Sequence, residues 1–218
     1  MRIEAVIFDF GGVLTTPLVD AFKAYESESG VSAEQLGRAM HAGAADLDGA
    51  HPLFELECGR ISESRFGELL SLHLATELGS EHDMSGFSSF YFKALRPNPP
   101  MIERCIAARE DGYRMALLTN NVIEWRPLWE PFFPEPLTDL FETVVDSGFE
   151  GMRKPEPEIY QLTLERLGGI APERCLFIDD TEVNCEAARE LGIDAVHFRT
   201  NEQALAEIDA ALTVGSRR

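Results

Sequence analysis

Ala5-Val6-Ile7-Phe8-Asp9-Phe10-Gly11-Gly12-Val13-Leu14 is the stretch whose reading decides the fold. Four apolar residues form a buried strand that delivers one carboxylate, Asp9, into a tight glycine turn. An acid at the C-terminal end of such a strand, beside backbone that can approach a ligand closely, suits a nucleophile or a metal ligand. The competing reading is a strand-end acid that only caps a turn. Three later segments weigh against it. Met115-Ala116-Leu117-Leu118 runs into Thr119-Asn120-Asn121, and Cys175-Leu176-Phe177-Ile178 runs into Asp179-Asp180. Between them, Gly151-Met152-Arg153-Lys154-Pro155 precedes a helical stretch. A hydroxyl with an amide, a loop lysine and strand-end acids can together hold a phosphate and a divalent cation.

Working outward, strand signals recur near residues 4–9, 114–119, 143–146, 175–179 and 195–198, with helical patterns between most of them. Asn98 is a candidate cap for a helix that opens on Pro99-Pro100 and ends near Gly112. A second helix runs from Pro155 to Leu167 and is closed by Gly168-Gly169, and Thr181 is a candidate cap for a third that ends before Gly192. Strands that alternate with helices predict an α/β fold: a parallel sheet covered on both faces, with its site beyond the strands' carboxyl ends. Residues 15–97 break the rhythm. They hold helical patterns near 17–29, 32–41, 47–58, 62–79 and 84–94, with Ser32 and Ser62 as caps, and read as an inserted helical cap. Trp125, Trp129, Phe132 and Phe133, interleaved with prolines, read as a connection folded onto the core.

The 218 residues carry a formal net charge of −19, and 44% are apolar. That is enough for a sizeable core, while the acidity argues against nucleic acid or anionic membrane as partner. An anionic substrate must therefore meet locally concentrated positive charge. Cys58, Cys105, Cys175 and Cys185 form no C-x-x-C pair and read as reduced cytosolic thiols. His41, His51, His73, His82 and His197 show no zinc-type spacing. No apolar run approaches membrane-spanning length, no signal peptide precedes the first strand, and the expected location is cytoplasmic.

The four motifs, in this order, resemble the haloacid dehalogenase-like hydrolase superfamily. Gly151-Met152-x-Lys154-Pro155-Glu156-Pro157-x-Ile159-Tyr160 followed by Phe177-x-Asp179-Asp180 is most similar to the phosphatase domain fused to soluble epoxide hydrolases. The likeness spans residues 3–200, but only the four motifs are specific. It implies a Rossmann-like core from residues 1–14 and 98–218 and a helical cap from 15–97. It further implies a phosphatase in which Asp9 attacks phosphorus and forms an aspartyl-phosphate, with Lys154 as its charge partner. Thr119, the backbone N–H of Asn120 and Lys154 would hold the phosphate. Mg²⁺ would be held by Asp9, the carbonyl of Gly11 and Asp180, with Asp179 as a second or outer acid. The implied partner is a small phosphorylated metabolite, for a monomer or homodimer.

Gly11 departs from that pattern. Phosphatases of the superfamily usually carry a second aspartate there, which protonates the leaving oxygen and then activates water. General acid–base catalysis contributes ~10²–10⁴-fold. Its loss fits a slow phosphatase, one restricted to good leaving groups, one that borrows an acid from the cap or substrate, or a protein that binds phosphometabolites without turnover. A haloacid dehalogenase also uses a strand-end aspartate and needs no second one. It needs no cation either, and lacks paired acids like Asp179-Asp180.

Overall fold

Side-chain alternation along the strands assigns each residue to one of two cores. In β1 (Ala5–Phe8), Val6 and Phe8 enter one hydrophobic cluster together with Leu117, Leu176 and Ile178. Ala5 and Ile7 enter the other, with Ala116, Leu118, Cys175 and Phe177. The partners are β2 (Arg114–Thr119) and β4 (Cys175–Asp179), flanked outside by β3 (Thr143–Asp146) and β5 (Asp194–His197). The computed structural model describes residues 2–214, except for the side chains of Leu18 and Val214. Within it the five strands are parallel in the order β3-β2-β1-β4-β5. This is a Rossmann-like α/β sheet, and each of the five expected strands is present. With β1 in the centre, Phe8 pairs with both Leu117 and Ile178. Asp9, Thr119 and Asp179 therefore finish at one edge.

Helices Pro157–Arg166 and Glu182–Glu190 cover the second core through Ile159, Tyr160, Leu164 and Ala188. The first core is covered by helices Pro99–Glu110 and Asn201–Val214 and by the helical segment after β1. That segment contains α1 (Leu18–Ser29), α2 (Ala33–Gly43), α3 (Pro52–Glu57), α4 (Glu63–Leu78) and α5 (Phe87–Ala94). Its two ends lie side by side: Thr16 N–H donates to Arg96 O (2.8 Å) and Asn98 N–H to Leu14 O (2.9 Å). Tyr25, Leu36, Phe66 and Leu70 of the segment join the cluster that holds Phe8. Trp125, Trp129 and Phe133 are buried in it too, so the aromatic connection is folded onto the core.

Several details of the sequence reading change. The single helix expected over 47–58 is a short turn at Ala44–Leu47 followed by α3, because Asp48 (φ 52°) and Gly49 (φ 90°) adopt left-handed backbone and Pro52 restarts the helix at its first turn. Ser32 does cap α2, in a reciprocal pair with Gln35, and Ser62 accepts from Arg65 N–H. Asn98 and Thr181 make no side-chain cap. Asn98 Nδ2 instead donates to Val13 O (2.7 Å) and Asn201 Oδ1 (2.9 Å), tying the crossover together. The four cysteines are free and buried, and burial pushes the thiols of Cys105, Cys175 and Cys185 up to about 12, so they stay protonated at neutral pH. Among the described residues no helix is long and apolar enough to cross a membrane.

Asp146, at the end of β3, is 1% exposed; its Oδ1 accepts from Gly148 N–H and its Oδ2 has no hydrogen-bond partner among the described residues. Burial raises its carboxyl to about 6. The folded state then holds more protons than the unfolded state between about pH 4 and 6, so the ionised carboxylate costs stability above that window. Asp146→Asn is expected to be more stable than wild type by about 1–2 kcal/mol at pH 8, a gain that vanishes near pH 4. Urea unfolding at the two pH values checks this, and an equal difference at both would contradict it.

Candidate active site

The strand-end residues meet around Lys154, which is 1% exposed. Its Nζ lies 2.7 Å from Asp9 Oδ1 and 2.6 Å from Asp179 Oδ2. Burial alone would push the lysine down, but Asp179 and Asp9 outweigh it and the net shift is upward, so Lys154 is charged. Asn120 fixes the loop that carries it. The Asn120 Oδ1 accepts from Lys154 N–H (2.8 Å) and Nδ2 donates to Lys154 O (2.9 Å). Both ends of that side chain are thus spent on the lysine's own backbone, a positioning task the sequence did not suggest. Asn121 Oδ1 accepts from Val122 N–H, a local bond. Thr119 is buried, and its hydroxyl has no hydrogen bond among the described residues.

The two adjacent acids take different environments. Asp179 is fully buried, and both of its oxygens are engaged. Oδ1 accepts from Thr181 N–H (2.8 Å) and Asn184 Nδ2 (3.0 Å), and Oδ2 accepts from Lys154 and Asn184. Asp180 lies against the glycine turn. A Cβ at Gly12 (φ 74°) would come 2.1 Å from Asp180 Oδ2, so that carboxylate occupies room which only glycine leaves. Gly11 is not among the left-handed glycines. His197 Nε2 donates to Asp180 O (3.1 Å) while its Nδ1 sits 2.5 Å from Glu182.

Asp9, Asp179 and Asp180 each offer one oxygen, and these lie within 4.8 Å of one another. Burial raises the Asp9 carboxyl; Lys154 opposes this, and Asp179 and Asp180 add to it. Burial and then Asp179 raise Asp180. One lysine does not offset this cluster, and the donors are hard oxygens. The set therefore fits Mg²⁺, with Asp9 and Asp180 having the oxygens free to reach it. The surrounding cleft, about 450 Å³, is lined by Asp9, Asp180 and Glu57 against Arg153 and Lys154. A phosphate dianion entering it without a cation would face more negative than positive charge.

The sequence reading missed Glu57, Asn184 and Tyr91. Asn184 could have been found, since it sits in the first helical turn five residues after Asp179. Glu57, at the end of α3, had no distinguishing signal. It accepts from Arg153 Nε (2.7 Å), whose guanidinium lies 3.9 Å from the centre of the Phe54 ring. Its backbone oxygen accepts from Ser147 Oγ (2.5 Å). Gly59, where a Cβ would come 2.4 Å from Gly148 O, brings this part of the helical segment hard against the loop before Lys154. Tyr91, on α5, borders a second, apolar cavity that opens beside Gly11, Thr119 and Asn120. Burial first, then Glu57, Asp180 and Asp9, raise its phenol.

The chain is 27% identical over 220 residues to bifunctional epoxide hydrolase 2 of Rattus norvegicus, covering 96% of this chain and 39% of that protein. It is 31% identical over 222 residues to a phosphorylated carbohydrates phosphatase of Thermotoga maritima, covering 97% and 94% of the two. Among solved structures, a haloacid dehalogenase family enzyme from Bacteroides thetaiotaomicron superimposes with a TM-score of 0.66 at 26% identity, covering 91% of this chain and 95% of that one. The chain spans between 19% and 39% of the length of the mammalian relatives it matches. Residues 3–192 match the haloacid dehalogenase-like hydrolase family, with the strand-end acids, the threonine and the loop lysine gathered at one sheet edge. The protein belongs to the haloacid dehalogenase-like hydrolases.

Proposed function

We propose that this hydrolase is a Mg²⁺-dependent phosphomonoesterase in which Asp9 is the nucleophile and residues 15–97 act as the cap over the cleft. The observation that carries the reading is Asp9 held by Lys154 through Oδ1 at 2.7 Å, within the same cluster as Asp180. Lys154 favours the ionised form of Asp9 against the effect of burial and orients it, leaving Oδ2 for attack on phosphorus. The P–O ester bond breaks, its electron pair leaves with the alcohol oxygen, and an aspartyl-phosphate forms. Water then attacks that phosphorus; both its protons end on the released phosphate, and Asp9 is regenerated as carboxylate. Thr119 Oγ donates to the phosphate, and Lys154 offsets its charge. Asp9, Asp180 and the carbonyl of Gly11 would hold Mg²⁺, which would supply charge neutralisation for the transferring phosphoryl group. Asp179 acts from outside the coordination shell, since its oxygens fix Lys154 and the turn at Thr181. Relatives named as phosphatases, which match over 85% to 94% of their own length, support the reading.

Phosphate release from 4-nitrophenyl phosphate tests it. Activity is expected with Mg²⁺, is lost in EDTA and returns on adding Mg²⁺. Asp180→Asn is expected to weaken Mg²⁺ binding at least ~10-fold by calorimetry. Halide release from a 2-haloacid that is indifferent to EDTA, without phosphatase activity, would instead make the enzyme a dehalogenase.

A further inference from the structure

We infer that the substrate is an aryl phosphate, the monoester of a phenol carrying no second charge, an inference that rests on the phosphatase reading. Two independent observations converge on it. The first is the cavity beside Gly11. It measures about 150 Å³ and is walled by Phe22, Phe87, Tyr91, Phe92, Leu95 and Trp125. A cavity of about that size with an apolar wall takes one benzene-sized ring. Phe87, Tyr91, Phe92 and Trp125 already pack against each other with centroids 5.3 to 6.3 Å apart, in tilted, stacked and edge-on arrangements that an added ring extends. Among the described residues no lysine, arginine or histidine borders the cavity. The polar groups on the lining are limited to Thr119, Asn120, Asn121, Glu57, the Tyr91 phenol and the unpartnered Nε1 of Trp125, fewer than a polyhydroxylated sugar needs along an otherwise apolar wall, and a second phosphate or a carboxylate would find no cation there. Glu57 is the one acid at the rim, and it is already paired with Arg153.

The second observation is the missing carboxyl at Gly11, which borders this cavity and the cleft of Asp9 alike. The leaving oxygen emerges at that junction, where the chain offers no acid of its own in the usual place. A phenol needs none: when the P–O bond breaks, the electron pair on the phenolate oxygen is delocalised into the ring, and the phenolate takes its proton later from solvent. An alkoxide leaving the same site needs the proton during bond cleavage. The shape of the cavity and the chemistry of the turn therefore select the same leaving group.

Initial rates with phenyl phosphate, cyclohexyl phosphate and glucose 6-phosphate in Mg²⁺ test this. The first two match in bulk and differ in leaving group. Phenyl phosphate is expected to exceed cyclohexyl phosphate in kcat/KM by about 10²–10⁴-fold, the worth of the absent acid. Gly11→Asp is expected to shrink that ratio at least ~10-fold by helping cyclohexyl phosphate. Gly11 has no left-handed backbone to forbid a side chain. Independently of turnover, phenylphosphonate is expected to inhibit at least ~10-fold more tightly than methylphosphonate, and 4-carboxyphenyl phosphate to have a higher KM than phenyl phosphate. Equal inhibition by the two phosphonates, or glucose 6-phosphate turned over as fast as phenyl phosphate, would overturn the inference while leaving the phosphatase intact. Failure to release phosphate from any of the esters, 4-nitrophenyl phosphate included, would overturn both.

Discussion

Lys154→Met is expected to abolish activity and also to destabilise the fold by about 3–5 kcal/mol, the usual effect of removing one partner from a buried ion pair. The lysine is the cation shared by Asp9 and Asp179, which are 8% and 0% exposed at the side chain. Asp179 retains Asn184 and Thr181 N–H as donors, while Asp9 is left without its ion-pair partner. For a domain of this length the loss lowers Tm by roughly 10 °C. The complete burial of the lysine is what makes the fold depend on it. The destabilisation should be smaller at pH 5 than at pH 8. Burial already raises the Asp9 carboxyl, and a protonated Asp9 needs no cation. Thermal unfolding by circular dichroism at both pH values, in EDTA, measures this. A Tm equal to wild type at pH 8 would mean that the carboxylates do not depend on Lys154.

Asp9→Asn is expected to reduce kcat/KM for an aryl phosphate by on the order of 10⁴-fold or more, since an amide cannot form the aspartyl-phosphate. Unlike loss of Lys154, it should leave the fold intact. The amide has the same shape, its oxygen still accepts from Lys154 Nζ, and Lys154 keeps Asp179 as counter-ion. Removing one of three clustered carboxylates also relieves the repulsion that Asp179 and Asp180 exert on Asp9. Acid quenching during turnover should trap labelled phosphate on wild type and none on the variant. A variant that still acquires the label, or keeps more than ~1% of the rate, would place the nucleophile elsewhere.

What could be read in the chain was short-range. Apolar runs of four residues leading into Asp9, Thr119 and Asp179 located the three central strands within a residue or two. A strand buried on both faces needs a continuous apolar run, and its chemistry can begin only where the run ends. Ser32 and Ser62 were legible for the same reason, because a cap closes on a donor three residues away. Asn98 and Thr181 looked equivalent to them and were not. A better partner for Asn98 came from Val13 and Asn201, 85 and 103 residues off, and the Thr181 hydroxyl turned to Asp180 Oδ1 (3.3 Å).

The chain by itself determined the sheet, the helical insertion and the identity of the acids, threonine and lysine that collect at its edge, because each is written in a local pattern of polarity. Only the tertiary structure decided how those groups divide the work. Asp179 is occupied by Lys154 and Asn184, whereas Asp180 lies open against Gly12. Asn120 secures Lys154, and Glu57 reaches Arg153 across 96 residues of chain. Which donor meets which acceptor in a buried site follows from three-dimensional proximity and competition for desolvated charge, and neither is encoded in the spacing of residues along the chain.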